Sequence, residues 1–325
     1  MSNIITSKLK NGAYNKITQP EEFARQLTSD LRSVNGDLHM GVSFNSSNTS
    51  SQNKEIIKRL DPKGTWSNYG FQEIKVLDGN IGYLKINHFT NWGHFEEAKK
   101  VITASFNTLK NTDALIIDVR NNGGGFEAIV AYLISYLFDG EPIHLSDYYY
   151  RYENKRHGIW TSKDIPGKKL PNLPLYILVN SRSASAAESL AYMLKHLKRA
   201  TIIGETTRGA GNGAMSHKVS ERFSVSIASE TTINAITKTS FEQVGVIPNI
   251  KTTSEEAFTK AYILALNYLK ENNTKQIAPS NYDKVIDFLP QNKSKETIDT
   301  DDYEKYAGTY KDATIEITIS VSETG

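Results

Sequence analysis

The sequence predicts an α/β fold, a largely parallel sheet covered by helices, with a helical region ahead of it. Two observations carry this expectation. From about residue 70, short β-branched runs alternate with amphipathic segments: FQEIKVL, GYLKINHF, helix 94–110, ALIIDV, helix 126–138, LYILVN, helix 186–198 and ATIIGE. The segment after Ser185 sets Ala187, Leu190, Ala191, Leu194 and Leu197 at helical spacing, so one stripe of it faces the sheet.

The chain opens on a helix announced by Thr18-Gln19-Pro20-Glu21, where a cap, an early proline and a first-turn acid precede Phe23, Leu27 and Leu31 on one face. Asn35-Gly36 closes it. GDLHMGVSF follows, and then SFNSSNTSSQN, so rich in Ser and Asn that it reads as a mobile surface loop. After the β/α alternation, HKVSERFSVSIASETTI reads as a hairpin, and helix 254–270 buries Phe258, Ala261, Ala265 and Leu269. The polar, proline-punctuated stretch beyond it reads as a linker or loosely packed tail, and YEKYAGTYKDATIEITISVSETG as the first strands of a further β module. The organisation expected is therefore a helical region and loop over 1–66, a β/α core over 67–270, and a linker with an incomplete β module over 271–325.

Composition narrows the function. The 325 residues hold 38 Lys and Arg against 36 Asp and Glu, a net charge of +2, so no global field argues for nucleic acid or an anionic membrane as partner. With no cysteine, disulfides, thiol catalysis and Cys-ligated zinc are excluded. The longest apolar run, AIVAYLISYLF, is too short for a membrane span, and no basic-then-apolar segment opens the chain. Either the protein is cytosolic or its export signal is absent from this sequence. No H-E-x-x-H and no cluster of His with acids supports a metal site, and no organic cofactor is expected.

Two turns carry chemistry. LYILVNSRSASAAESLAYMLKH is a strand, a serine-dense turn and a helix; a serine at such a junction is a nucleophile candidate, because N–H groups at the helix start can stabilise an oxyanion. Ser185 and Glu188 also have the S-x-x-E spacing of a capping box, in which serine only satisfies a backbone donor. Ser183 is the competing nucleophile and Ser181 a weaker one. In ALIIDVRNNGGGFEAIVAYL, three glycines strip a strand-to-helix turn of side chains, so substrate backbone can approach, with Asp118 and Arg120 organising the loop. No Lys-Ser or Lys-Thr follows as a P-loop requires, and GAGNGA precedes strand rather than helix, so both nucleotide readings fall away.

Taken in order, DVRNNGGG, the strand ending at Asn180, the SASAAE turn and KRATIIGETTRGAGN resemble the serine peptidases of the carboxyl-terminal processing (tail-specific) protease family. Within it the likeness is to the branch of the tricorn core protease and interphotoreceptor retinoid-binding protein. The resemblance implies a ClpP/crotonase-like β/α spiral core. Gly209-Ala210-Gly211 stands where dyad members of that family have GKG, so a Ser-Lys dyad is not expected, and the interval between His39 and FQEIKVL is too short for their PDZ domain. Gly36-Asp37-Leu38-His39 resembles the branch's Asp-x-His motif, and Phe241-Glu242-Gln243-Val244-Gly245-Val246 its Glu-x-x-Gly-Val segment. The resemblance thus implies a triad of Ser185, His39 and Glu242, with oxyanion donors at Ala186 and at Gly123 or Gly124. His39 stands out among the seven histidines (the others are His88, His94, His144, His157, His196 and His217) through this motif alone.

The function this implies is hydrolysis of peptides or unfolded protein through an acyl-enzyme, with export from the cytoplasm expected from the family. A non-catalytic retinoid or fatty-acid binder on the same fold is the alternative; a crotonase-like acyl-CoA enzyme is weaker, because the SASAAE turn is not its signature. Residues 142–163, PIHLSDYYYRYENKRHGIWTSK, either grip an extended peptide or form a hairpin over the sheet edge. The oligomeric state is not legible.

Overall fold

The computed structural model describes residues 2–45, 65–90, 92–272, 275–289, 307–311 and 316–320, and most of the loop expected over SFNSSNTSSQN lies outside them. The chain divides into two units, Met1–Ile286 and Asp287–Gly325.

The first unit is built on a six-stranded sheet. Its strands are β2 (Phe71–Leu77), β3 (Ile81–Ile86), β4 (Ala114–Asp118), β7 (Leu175–Val179), β8 (Thr201–Gly204) and β11 (Ile250–Lys251), in the order β11-β8-β7-β4-β3-β2. Every neighbouring pair from β3 to β11 is parallel, and β2 alone runs antiparallel as a hairpin with β3. Parallel pairing requires crossovers, which the alternating helices provide: α3 (Phe95–Leu109), α4 (Glu127–Ile134) and α5 (Ala186–His196). Alternation in the strands divides the two faces. Leu115, Ile117, Leu175, Ile177, Val179 and Ile202 share a core with Ile102 and Phe106 of α3, Leu133 of α4 and Leu190 of α5. Each fully buried aliphatic of this kind contributes about 1.5–3 kcal/mol. On the opposite face Tyr83 meets Phe258 of α6 (Ala257–Glu271) edge-on, their ring centroids 5.3 Å apart.

A second, antiparallel sheet stands beside the first. β10 (Phe223–Asn234) is its spine, paired along one edge with β9 (Asn212–Lys218) and along the other with β1 (Gly41–Phe44) and then β5 (His144–Tyr150), which β6 (Lys155–Trp160) extends. Residues 142–163 thus contain a hairpin, paired with β10 in this second sheet rather than laid over the edge of the six-stranded one.

The amino-terminal region contains α1 (Ser2–Lys10) and α2 (Pro20–Asn35). Pro20 opens α2, and Gly36 closes it at φ 71°, donating its N–H to Arg32 O, so the cap expected at Asn35-Gly36 is present. Helix α1 was not apparent from the sequence; it is pinned where Lys8 Nζ and Tyr14 Oη reach Asp30 of α2, at 2.6 and 2.7 Å. Beyond α6 the stretch expected as linker contains a further helix, α7 (Pro279–Phe288), which buries Tyr282. Lys270 of α6 pairs with Asp283 of α7 at 2.6 Å. In the second unit β12 (Gly308–Lys311) pairs antiparallel with β13 (Glu316–Ile319), two strands in the segment read as a β module.

Candidate active site

Ser185 sits where β7 gives way to α5, at φ 55° and ψ −120°. A non-glycine residue held at positive φ stores about 1–3 kcal/mol of strain, and here the surroundings over-determine it. Ahead of it, Ala184 N–H donates to Asn122 O at 2.9 Å. Behind it, Glu188 reaches back to accept the Ser185 N–H at 2.8 Å, the carboxylate arm of the capping box read from the S-x-x-E spacing. Glu188 does more than cap. Fully buried, it also accepts Thr207 Oγ1 at 2.5 Å, Gly209 N–H at 2.6 Å and Ala210 N–H at 2.8 Å, tying the serine turn to the 207–210 loop.

Ser183, the competing nucleophile, is fully buried. Its hydroxyl donates to Val119 O at 2.7 Å and accepts Asn180 N–H at 3.0 Å, so it braces the turn.

The glycine loop closes against this turn. Asn122 donates through Nδ2 to Ile86 O and accepts the Gly124 N–H at 2.8 Å. Arg120 and Asp118 are paired at 2.6 Å, Tyr83 Oη donates to Asp118 at 2.8 Å, and Arg120 donates onward to Ser254 O. Gly124, at φ 101°, is where the loop touches the serine: a Cβ there would lie 2.6 Å from Ser185 Cβ and 2.8 Å from Ala184 O. Gly124→Ala is therefore expected to destabilise the fold by about 1–3 kcal/mol and to displace Ser185. Denaturant unfolding and peptide turnover of that variant check this, and wild-type values in both would refute it.

His39 comes from the turn between α2 and β1. Its N–H donates to Asp37 Oδ1 at 2.8 Å, and the pairing of Gly41 with Ser226 on β10 fixes the chain beyond it. Its ring and Ser185 line one cavity of about 180 Å³ together with Gly125, Glu127, Tyr148 and Gly211. Burial pushes the imidazole pKa below its ordinary 6.5; the charges of Asp37 and Glu188 oppose that shift, while Arg208 and Arg32 reinforce it. A neutral ring can accept a proton.

Glu242 lies behind this pair. One oxygen accepts Gly211 N–H at 2.7 Å and Asn212 N–H at 2.9 Å. The other, Oε1, is buried with no hydrogen-bond partner among the described residues, and so is His39 Nδ1. The carboxylate within ion-pairing range of His39 is Asp37, at 3.7 Å, itself held by Asn212 Nδ2 at 2.8 Å. Burial raises the Glu242 pKa above the usual carboxylate range; its two backbone donors partly offset this, and Asp37 and Glu188 add to it.

Of the six residues expected from the sequence, Ser185, His39 and Ala186 line the cavity, Gly124 packs on the serine, and Glu242 stands one hydrogen-bonded layer behind. Gly123 is exposed, with open space where a side chain would be. Gly124 has its N–H committed to Asn122. Tyr149 and Tyr150 are not in the cavity lining, whereas Tyr148 is. Glu127 and the hub role of Glu188 were missed. Glu127 had a signal, as a lone carboxylate at the head of an otherwise apolar helix.

The profile described as "Peptidase family S41" matches residues 80–252, more than half of the chain. Among curated proteins, the carboxyl-terminal-processing protease of Picosynechococcus sp. is 35% identical over 133 residues, covering 40% of this chain and 29% of that protein. The tail-specific protease of Haemophilus influenzae is 33% identical over 138 residues, covering 42% of this chain and 18% of its own length. The alignments thus span less than a third of these relatives. Among solved structures, a lipoprotein from Streptococcus agalactiae superposes with a TM-score of 0.51 at 18% identity, over 77% of this chain and 84% of that one. A putative peptidase from Parabacteroides merdae gives 0.50 at 20% identity, over 70% and 74%. These two likenesses bear on the fold, and the α/β class expected from the sequence is the one observed.

Proposed function

The chain belongs to peptidase family S41, and from that premise we propose that it hydrolyses peptides or unfolded protein by serine catalysis, in the manner of a carboxyl-terminal processing peptidase. The observation that carries this reading is the strained Ser185 at the head of α5, opening into the same cavity as a half-buried His39 whose pKa burial lowers.

Ser185 Oγ attacks the scissile carbonyl carbon while His39 takes the hydroxyl proton, and the carbonyl oxygen becomes the oxyanion. The Ala186 N–H, at the first position of α5 where the helix dipole favours negative charge, is the first oxyanion donor. Gly123 supplies the second, because Gly124 has spent its N–H on Asn122 and serves instead as the contact surface of the serine. Collapse of the tetrahedral intermediate expels the amine, which leaves with the proton from His39, and water then cleaves the acyl-enzyme by the same route. Once protonated, His39 needs a carboxylate. Asp37 is close, and Glu242, whose Oε1 has no partner among the described residues, is the second carboxylate that could receive the His39 Nδ1 proton. Glu242 is the orienting carboxylate in this account.

The polar cavity wall argues against a retinoid or fatty-acid binder, since such ligands need an apolar lining. No helix among the described residues is long and apolar enough to cross a membrane. Export from the cytoplasm belongs to this proposal, on the strength of the family alone.

The pH profile tests the base. Because burial depresses the His39 pKa, the imidazole stays neutral below its ordinary 6.5, so kcat/KM should rise with pH through an apparent pKa below 6.5. His39→Ala should remove that limb together with nearly all activity. A limb above 6.5, or one that survives the substitution, would assign the base elsewhere.

A further inference from the structure

The cavity beside Ser185 has a wall the hydrolytic mechanism does not use. Glu127, from the first turn of α4 and only 3% exposed, accepts hydrogen bonds from Tyr148 Oη and from Ser146 Oγ, the latter at 3.1 Å. Glu230, half-buried on β10, lines the same cavity. It sits beside a bulge: the pairing of β10 with β9 shifts register between Ala228 and Glu230, which re-aims the side chains there. The re-aimed carboxylate lies across Gly213 of β9, where an added Cβ would come within 2.0 Å of Glu230 Oε1, so the absence of a side chain at 213 is what admits it. No lysine or arginine is among the lining residues; the one basic group is His39, on the catalytic side.

We propose that this cavity is the specificity pocket and selects substrates with a lysine or arginine side chain immediately before the scissile bond, held between Glu230 and Glu127. The inference rests on the serine peptidase reading and adds the substrate class. Two carboxyl groups share a small, partly desolvated space with hydroxyl donors and no counter-cation, an arrangement that costs free energy until a cation enters. Burial raises the Glu127 pKa; the hydrogen bonds from Tyr148, Ser146 and Ser189 partly offset this, and the charge of Glu230 adds to it. An ammonium or guanidinium supplies charge-assisted donors to acceptor positions that Tyr148, Ser146 and Ser189 leave open, because a carboxylate accepts about four hydrogen bonds. An acidic side chain would meet the like charge of Glu230, and an apolar one would strip water from both acids without replacing it.

Peptidyl diphenyl phosphonates that differ only in the residue next to phosphorus (lysine, norleucine or glutamate) read this directly, alongside a plain fluorophosphonate. The lysine probe should label the protein about tenfold or more faster than the norleucine probe, the discrimination expected of one desolvated charge pair. Glu230→Gln should bring that ratio towards one, and Glu230→Lys should turn the preference to the glutamate probe. Glu127→Gln should act in the same direction; if it fails to fold, the half-buried position 230 still decides. Equal rates for the three probes, or a ratio unmoved by both Glu230 variants, with fluorophosphonate labelling intact, would overturn the specificity alone. No labelling by any probe would overturn the peptidase reading and this inference with it.

Discussion

Replacing Ser185 by alanine is expected to lower kcat/KM for peptide hydrolysis by about 10⁴-fold or more while the protein stays folded. The loss is large because every covalent step passes through one oxygen, so the remaining donors can polarise a carbonyl with nothing placed to attack it. The fold survives because the turn is held by its backbone: Ser185 N–H bonds Glu188, Ser185 O accepts the Ser189 N–H, and Ala184 N–H bonds Asn122 O. Combining Ser185→Ala with His39→Ala should cost little beyond either alone, since the two act as a unit. Steady-state kinetics of the two single variants and the double checks this, with thermal unfolding to show that each is folded. Additive losses would mean that His39 serves some other function than accepting the serine proton.

The second large effect is expected at a residue outside the reacting group. Glu188→Ala removes one buried carboxylate and leaves four donors without an acceptor: the N–H groups of Ser185, Gly209 and Ala210 and the hydroxyl of Thr207. Each buried donor left without a partner costs about 1–3 kcal/mol, so the variant should be severely destabilised. The strained φ of Ser185 also loses the contact that holds it, so turnover should fall by more than the folded fraction explains. Glu188→Gln keeps the shape but turns an NH₂ towards donors, and it should recover part of the stability and little of the activity. Denaturant unfolding paired with turnover separates the two effects. A Glu188→Ala protein with wild-type stability would show that water fills the vacated site without cost, and the tie between the two loops would lose its importance.

What could be read from the sequence divides along a physical line. Periodicity reports which face of an element is buried, and it located α3, α4, α5 and α6 together with β2, β3, β4, β7 and β8 to within a few residues at each end, whereas β9 and β11 were not placed. The strand expected as GYLKINHF stops at Ile86 because the chain turns to meet the glycine loop, where Phe89 N–H bonds Gly124 O. α4 ends at Ile134 because its last turn tightens to a 3₁₀ helix over Ser135–Leu137. α1 escaped notice because SNIITSKLK carries few apolar residues, and its hold on Asp30 is a polar contact across the fold.

The site divides in the same way. Ser185 and its Glu188 cap are local, so spacing displayed them. His39 and Glu242 stand far apart in sequence and were reached through resemblance of motifs. The paired acids of the cavity were not legible: Glu230 and Glu127 are brought together by the crossing of a bulged strand and a helix, and no local pattern encodes that approach.

The most direct test of the central claim, that Ser185 is an activated nucleophile served by His39, is the intact mass after treatment with a fluorophosphonate, on the wild-type protein and on Ser185→Ala, at a pH where His39 is neutral. The account predicts a single adduct on the wild type, absent from Ser185→Ala and formed far more slowly on His39→Ala. No adduct on well-folded wild-type protein, or one that persists in Ser185→Ala, would contradict it.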